Sequence, residues 1–279
     1  MILTSPFSMR TQVRPFAKFV LPTLFCSALT VPALCEKPAD WDQAVMSAAA
    51  QPPTFWLNSD PSNNRGEGDL SGEIRYVGGV LSRLEEGPWG DAEGAFGLSD
   101  DSQGAARVNN SKQTDIACSD QGSLALLFRA PTDFSSKSGS IDQQLQVLFS
   151  RGTYGSEQPF EIALHQGSLR ISHLQDGVSK TTTLGSGKLE QGAWYWLALT
   201  WERQDSATSI TWRIWNQLDG LQQGSLNTGP LGFANTPLEL AGRTSGDSLK
   251  DGAFSQVIVW STPVSDDNWS KLESLLKGD

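Results

Sequence analysis

The stretch WYWLALTWER, residues 194–203, decides the fold class because it carries three tryptophans and a tyrosine without a glycine or proline. A second aromatic run, SITWRIWN, follows at residues 209–216. Side chains along a β-strand point alternately to opposite faces. In the first run the more aliphatic face holds Tyr195, Leu197, Leu199 and Trp201, and the opposite face holds Trp194, Trp196, Ala198 and Thr200. We therefore predict two paired strands that direct Trp201 and Trp212 into a core.

Further segments in which apolar and polar residues alternate lie on both sides of this pair. Clusters of glycine, asparagine, aspartate and serine separate them, as expected of antiparallel strands joined by turns. They are TFWLN (54–58), GEIRYVGG (72–79), GSLALLFRA (122–130), LQVLFSRG (145–152), PFEIALHQG (159–167), SLRISHLQDG (168–177), LELAGR (238–243) and AFSQVIVWS (253–261). Strands with no long helix between them predict an all-β sandwich of two layers.

Two short helices are predicted at the ends of this strand region. The segment KPADWDQAVMSAAAQPP, residues 37–53, has an alanine-rich centre, and Pro52 would end a helix there. At the other end, residues 265–278 offer Ser265 as an N-cap and acidic residues in the first turn. Leu272, Leu275 and Leu276 would share one face of this second helix.

The first 35 residues have the order of a secretory signal peptide. Basic residues precede the apolar run FVLPTLFCSALTVPALC, which prolines interrupt and which is too short to span a bilayer. Cleavage is expected after Ala33 or after Cys35, and Cys118 has Cys35 as a disulfide partner only in the first case. The alternatives are a buried N-terminal segment or a membrane anchor. The signal peptide predicts a secreted or periplasmic protein, with a helical extension at residues 36–53 and one domain at residues 54–279.

The formal net charge of −10 restricts the partners of the chain. Nucleic acids and anionic membrane surfaces attract basic patches, so both are disfavoured. Polyanionic polysaccharides are disfavoured as well, unless a local basic groove or a bound cation offsets the field. A carbohydrate or an extracellular or cell-envelope protein remains as the expected partner.

The order of the segments resembles the laminin G-like, concanavalin A-like jelly-roll domains over residues 54–276. The most specific piece is the tryptophan-led strand followed by AFSQVIVW and a closing helix. The resemblance implies an all-β, two-sheet antiparallel jelly-roll sandwich with short N- and C-terminal helices. Many members carry an acidic residue where this chain has Ser255, so the role of that acid is not carried over.

The outward rings of the aromatic strands are the candidate ligand contacts. Trp196 and Trp215 are expected to face a concave outer surface beside Arg213, where rings could stack on a sugar while the guanidinium binds hydroxyls. The alternative is that both rings fill space under a loop or against the N-terminal helix. Accordingly we expect a carbohydrate-binding or glycoprotein-binding module, with a structural or protein-interaction module as the alternative.

Catalysis is not expected from the sequence. Glucanases of this fold resemble one another in a strand with Glu-x-Asp-x-Glu, but in EIALH only Glu161 is acidic, and Ala163 and His165 occupy the other two positions. His165 and His173 come from successive strands, and their spacing leaves open a metal pair or a histidine base. A glycoside hydrolase or polysaccharide lyase of the same fold is the second alternative.

Calcium is the one cofactor that the sequence suggests. Jelly rolls of this type hold Ca²⁺ in some rim loops through carboxylates and backbone oxygens. Acidic residues cluster in LSDDSQG (98–104) and DIACSDQG (115–122), although neither segment follows the EF-hand pattern. The candidate ligands are Asp100, Asp101, Asp115 and Asp120.

Overall fold

The computed structural model describes residues 36–58, 74–77, 81–91, 94–98, 105–108, 120–134, 145–151, 160–231, 238–243, 249 and 251–278. Its helices are α1 (Trp41–Met46) and α2 (Asp266–Lys277). Its strands are β1 (Phe55–Asn58), β2 (Ile74–Val77), β3 (Leu81–Glu85), β4 (Ala95–Leu98), β5 (Ala105–Val108), β6 (Gln121–Arg129), β7 (Leu145–Ser150), β8 (Glu161–His165), β9 (Ser168–Gln175), β10 (Val178–Thr183), β11 (Trp194–Gln204), β12 (Ala207–Asn216), β13 (Gly220–Thr228), β14 (Leu238–Leu240) and β15 (Ala253–Trp260).

Within these ranges the strands form two antiparallel sheets. The eight-stranded sheet has the order β13-β12-β11-β6-β15-β4-β3, with β1 paired to β15, and the seven-stranded sheet has the order β10-β9-β8-β7-β14-β5-β2. Each segment predicted as a strand contains one, and both predicted helices are present. The predicted two-sheet antiparallel sandwich is therefore confirmed.

The space between the sheets is filled by one apolar core. The predicted inward set of β11 lies in it, and Trp201 is 2% exposed. Trp212 of β12 packs against the same core but stays partly exposed. It lies near the edge of the sheet, where its ring covers Gly224 of β13: an added Cβ at Gly224 would come within 2.5 Å of Trp212 Cζ2. The predicted direction of both tryptophans is correct.

A second apolar cluster covers the outer face of the eight-stranded sheet. Its side chains come from α1, α2 and the outward positions of the central strands, and they include Trp41, Val45, Trp56, Leu127, Trp196, Trp215, Ile258, Trp260, Trp269, Leu272 and Leu276. Trp196 lies at the centre, with its ring centroid 5.6 Å from that of Trp41 on α1 and 6.1 Å from that of Trp269 on α2. We call this surface the helix-covered face.

Helix α2 begins and ends as the sequence predicts. The Ser265 side chain accepts a hydrogen bond from the backbone N–H of Asn268 at 3.3 Å, and Gly278 adopts the left-handed conformation with φ 75°. Trp269 Nε1 donates to Thr200 Oγ1 of β11 at 2.9 Å. Asn268 Nδ2 donates to the carbonyl of Ala48, just after α1, at 2.7 Å. These bonds attach α2 to both the sheet and the N-terminal helical segment.

The predicted signal peptide at residues 1–35 and Cys118 lie outside the described residues, so the export and disulfide hypotheses stay predictions. Neither described helix is long and apolar enough to cross a membrane.

Candidate functional site

The structure buries the two rings that the sequence analysis placed on an open surface. Trp196 is 0% and Trp215 is 4% exposed, because α1 and α2 pack on the helix-covered face. We therefore correct the expectation of a ring-lined, solvent-accessible surface at these residues. The alternative interpretation, in which the rings pack against the N-terminal helix, describes their position in the structure.

Arg213, the third predicted contact, binds α2. Its Nε and Nη2 donate to the two carboxylate oxygens of Glu273 at 2.6 and 2.8 Å. Nη1 lies 3.6 Å from Asp266 Oδ1, and the side-chain hydrogen bond to Glu273 is the main reason why the pKa of Arg213 is raised. The Glu273 side chain is 2% exposed. Arg213 thus joins β12 to α2 beneath the surface where a sugar was expected.

The outer face of the seven-stranded sheet has the opposite character. Glu161, Ser172 and Ser150 lie side by side on neighbouring strands, and Glu239 and Thr181 extend this row on the next strands. All point away from the inter-sheet core because their chain neighbours, such as Ile162 and Ile171, lie in it. We call this surface the polar face; its described members are Ser150, Glu161, Ala163, His165, Arg170, Ser172, Thr181, Thr183 and Glu239.

A second arginine–glutamate pair lies at the centre of the polar face. Arg243, just after β14, donates from Nε to Glu161 Oε2 at 2.7 Å and from Nη2 to Glu161 Oε1 at 2.5 Å. The Glu161 side chain is 1% and that of Arg243 14% exposed. Two parallel charge-assisted bonds fix the plane of the guanidinium. Glu161 is therefore a buried support, and Arg243 is the group of the pair that reaches the surface.

Hydrogen-bonding groups surround this pair. Arg170 is a diagonal neighbour of Glu161 across β8 and β9, roughly 7 to 8 Å away in ordinary sheet geometry. Arg170 Nε is buried and has no hydrogen-bond partner among the described residues. His165 and Glu239 are partly exposed on the same face. Hydrogen-bond donors and acceptors therefore both lie on this face.

Arg151 is a further buried guanidinium at the end of β7. The residue is 3% exposed, and its Nε and Nη1 have no hydrogen-bond partner within the described part of the chain. Burial lowers the pKa of Arg151 to about 10. Its backbone N–H bonds the carbonyl of Phe160, directly before Glu161, at 2.8 Å. Two donor nitrogens of this buried guanidinium are thus left without a hydrogen bond in the described part of the chain, which is costly for a buried polar group.

The histidines do not form a pair. His173 lies at the edge of the sandwich, where its Nε2 is 2.7 Å from Thr182 Oγ1 of β10 and its Nδ1 is 3.1 Å from Thr228 Oγ1 of β13. The Thr228 hydroxyl donates its proton to the carbonyl of Leu174. His173 Nδ1 must then be the donor to Thr228, and neutral Nε2 accepts from Thr182. His173 thus joins the two sheets, whereas His165 lies on the polar face.

Only one of the four candidate calcium ligands lies among the described residues. Asp100, Asp101 and Asp115 lie outside the described residues. Asp120 is described, and its Oδ1 accepts a bond from Arg203 Nη1 at 3.0 Å. Among the described residues no three histidine, cysteine, aspartate or glutamate side chains come together as metal ligands. A calcium site at these aspartates stays a prediction.

Known proteins were compared with the chain in sequence and in structure. No protein-family model matches the sequence, and no curated protein sequence matches it. The structure is similar to a Trypanosoma rangeli sialidase in complex with a difluorinated sugar acid, with 14% identity and a TM-score of 0.41 over 86% of this chain and 38% of the sialidase. It is similar to an arabinofuranosidase complexed with arabinofuranosyl-xylobiose, with 12% identity and a TM-score of 0.41 over 73% of this chain and 43% of that one.

Peanut lectin is also similar, with 10% identity and a TM-score of 0.41 over 74% of this chain and 96% of the lectin. The chain thus spans less than half of the sialidase and arabinofuranosidase chains and nearly all of the lectin chain. The laminin G-like resemblance stays a prediction, because no family model matches.

One expectation is corrected by these comparisons. No catalysis was expected from the sequence, yet the similar structures include glycosidases, namely a sialidase and arabinofuranosidases. We therefore withdraw the expectation of a non-catalytic module.

Proposed function

We propose that this domain recognises carbohydrate on its polar face, with Arg243 as the central donor. The bidentate Glu161–Arg243 pair carries the proposal. A guanidinium already held in one plane loses little rotamer freedom when it binds a ligand, and such preorganisation is a main source of affinity in small sites.

The composition of the polar face supports a ligand rich in hydroxyl groups. Each sugar hydroxyl can donate and accept, and the face combines the donors Arg170 and Arg243 with the partly exposed carboxylate of Glu239 and the exposed hydroxyls of Thr181 and Thr183, whereas Ser150 and Ser172 are buried beneath them. The negative net charge disfavours nucleic acid. The two described helices pack on the other sheet, so they do not cover this face.

A glycan-array screen of the chain, with and without Ca²⁺, tests the proposal first. The strongest ligand is then titrated against Arg243→Lys, which keeps the charge but loses the planar fork. We expect binding to weaken about tenfold or more, equivalent to about 1.4 kcal/mol or more. Arg213→Lys is the matched control, because it changes the same kind of pair on the helix-covered face, and it should bind as the parent does.

The titrations are made below the melting temperatures of all three proteins, so that loss of binding is not loss of folding. The proposal would be contradicted if Arg243→Lys bound the glycan with unchanged affinity. It would also be contradicted if the parent bound no glycan in either the presence or the absence of Ca²⁺.

A second candidate function, hydrolysis of a glycosidic bond, is favoured by Glu239. Glu239 and Glu161 lie on the same face of strands two positions apart, roughly 10 Å between backbones. Side chains can bring two carboxyl groups from there to the separation of about 6.5 to 9.5 Å used by inverting enzymes. Of the two, Glu239 is the partly exposed carboxylate that could reach a substrate, whereas both oxygens of Glu161 accept hydrogen bonds from Arg243 and would position that guanidinium.

The test is the release of reducing sugar from any glycan that the array identifies. Glu239→Gln should abolish release and keep binding. If the parent releases no sugar, the hydrolysis candidate is contradicted.

We also propose that the chain is exported, on the basis of the N-terminal sequence. In a secreting host the recovered protein should begin at Leu34 or Glu36. Intact-mass measurement decides, and retention of residues 1–35 would overturn the proposal.

A further inference from the structure

The two sheets contact each other along one side of the sandwich, where β13 ends the eight-stranded sheet and β10, with its neighbour β9, ends the seven-stranded sheet. The Thr228 hydroxyl at the end of β13 and the backbone N–H of Gly229 both donate to the carbonyl of Leu174 on β9, the second at 2.7 Å. His173 Nδ1 lies 3.1 Å from Thr228 Oγ1, and its Nε2 lies 2.7 Å from Thr182 Oγ1 on β10. We call these five residues the His173 joint.

The joint uses both nitrogens of a neutral imidazole. Because the Thr228 proton goes to the Leu174 carbonyl, His173 Nδ1 is the donor to Thr228, and Nε2 accepts from the Thr182 hydroxyl. A proton on Nε2 would set two donors against each other, so the Thr182 hydroxyl would have to turn its proton to another acceptor. The closed joint therefore favours the neutral ring.

The described residues around His173 do not compensate the charge of an imidazolium. His173 is 2% exposed, and Lys180 lies directly opposite it on β10. Strand β13 contains no charged residue, and the residues of β12 that face the inter-sheet core are uncharged. The carboxylate of Glu161 on β8 lies on the other face of the sheet and is bound by Arg243. Burial lowers the pKa of His173, as this arrangement requires.

A cavity of about 370 Å³ lies next to the joint. Its walls are the end of β9, the end of β13 and the turns β9–β10 and β11–β12, and they include Leu174 and Thr228. Asp176 and Ser206, in the two turns, are exposed, so the cavity is accessible to solvent. It has room for several water molecules, since each occupies roughly 30 Å³ in the liquid. Solvent screens the carboxylates of these turns, Asp176 and Asp205, because both residues are exposed.

A buried hydroxyl beside the joint also lacks a hydrogen bond. Thr208 on β12 lies directly opposite Thr228, and its Oγ1 has no hydrogen-bond partner in the described part of the chain. A buried polar group without a partner is costly, and that cost disappears when water reaches it. This end of β13 is therefore a place where water would relieve an existing cost.

We propose that a proton on His173 opens the sandwich at the His173 joint. The end of β13 then bends away from β9, and water from the cavity solvates the imidazolium and the Thr208 hydroxyl. The opening stays local, because β13 keeps its continuous pairing with β12 over nine positions. Apolar side chains beside the joint, Leu226 on β13 and Ile171 on β9, become accessible. The domain thus exposes apolar surface in acidic surroundings and covers it at neutral pH.

Amide hydrogen exchange of the chain, followed by NMR at Gly229, tests the proposal. Exchange is measured from about pH 7.5 to about pH 5, on both sides of the ordinary histidine pKa of about 6.5, and is divided by the intrinsic rate at each pH. Below about pH 6.5 the opening equilibrium should rise about tenfold per pH unit, because the open state binds one more proton. Amides of residues 124–127 in β6 should keep their protection, which distinguishes local opening from unfolding.

The variant His173→Gln removes the titrating group and should abolish the rise at Gly229. The matched control is His165→Gln, because the chain contains two histidines and His165 lies on the polar face; this variant should behave as the parent does. Circular dichroism and thermal melts confirm that both variants are folded. A rise that persists in His173→Gln or is lost in His165→Gln would overturn the proposal, as would pH-independent exchange at Gly229 in the parent.

NMR titration of the imidazole rings of the parent gives a second measurement that does not depend on any variant. The rise in exchange at Gly229 should level off at the midpoint of the His173 ring, because the closed joint is itself protonated below that pH. A rise that follows the midpoint of the His165 ring instead would overturn the proposal.

Discussion

The two outer faces of this sandwich carry the same kind of buried ion pair in opposite surroundings. On the helix-covered face, Arg213 binds Glu273 beside indole rings that two helices bury. On the polar face, Arg243 binds Glu161 among serines, a histidine and a second arginine; Glu161 lies on β8, and Arg243 closely follows β14 of the same sheet. The first pair attaches a helix to a sheet, and the second holds a guanidinium in place at a surface.

Aromatic content alone therefore does not locate a ligand site. Trp196 and Trp215 would suit sugar stacking if they were exposed, yet they form the contact between the sheet and its helices. The groups available to a ligand are polar ones on the sheet with fewer aromatic residues.

The largest effect that tests this comparison is the loss of the central ring on the helix-covered face. Trp196→Ala should lower the free energy of unfolding by about 3 to 5 kcal/mol, the range for removing a buried large aromatic side chain. Trp201→Ala in the inter-sheet core is the matched control, and a similar loss is expected. Denaturant unfolding measures both, and a loss below about 1 kcal/mol for Trp196→Ala would contradict burial by the helices.

The two ion pairs provide the next test. Arg213→Met and Arg243→Met should each lower the free energy of unfolding by about 3 kcal/mol, because each leaves a carboxylate buried without its partner. Replacing Glu273 by Met as well as Arg213 should restore most of the loss, since no charge is then buried. Denaturant unfolding of the double variant checks this, and no recovery would mean that the helix contact depends on more than charge pairing.

A smaller effect is expected at the joint between the sheets. Burial is the main reason why the pKa of His173 is lowered, and Lys180 lowers it further, while the contact with the Leu174 carbonyl acts in the opposite direction. The unfolded chain, with a histidine pKa of about 6.5, then binds more protons than the folded chain between the two values. The contribution of His173 to stability is therefore complete above about pH 6.5 and declines as the pH falls.

Denaturant unfolding at several pH values on both sides of 6.5 measures this dependence. The free energy of unfolding of His173→Gln should be lower at neutral pH and should change less with pH over the same range. An unchanged slope in His173→Gln would show that another group causes the dependence.

The sequence was sufficient for the fold but not for the site. Alternation of apolar residues located the central strands, and Ser265 with its following acids located α2, because both signals are local. Strands β3, β4, β5, β10 and β13 were missed. The first three have only four or five residues each, and the edge strands β10 and β13 are largely polar and show no apolar alternation.

The alternation of side chains along β11 separates its two faces. It does not show that helices from both ends of the chain cover the face that carries Trp196. Arg243 was missed because its partner Glu161 is 82 residues away, and only the pairing of β7 with both β8 and β14 brings them together. A lone arginine after a short strand carries no signal of that partner.

Hydrogen exchange of the chain with and without a bound glycan from the array shows which outer face binds the ligand. Recognition on the polar face predicts slower exchange in segments 161–175 and 238–243, which belong to that face, and unchanged exchange in segments 194–216 and 266–277. Slowed exchange confined to the latter segments would contradict it and return the site to the helix-covered face.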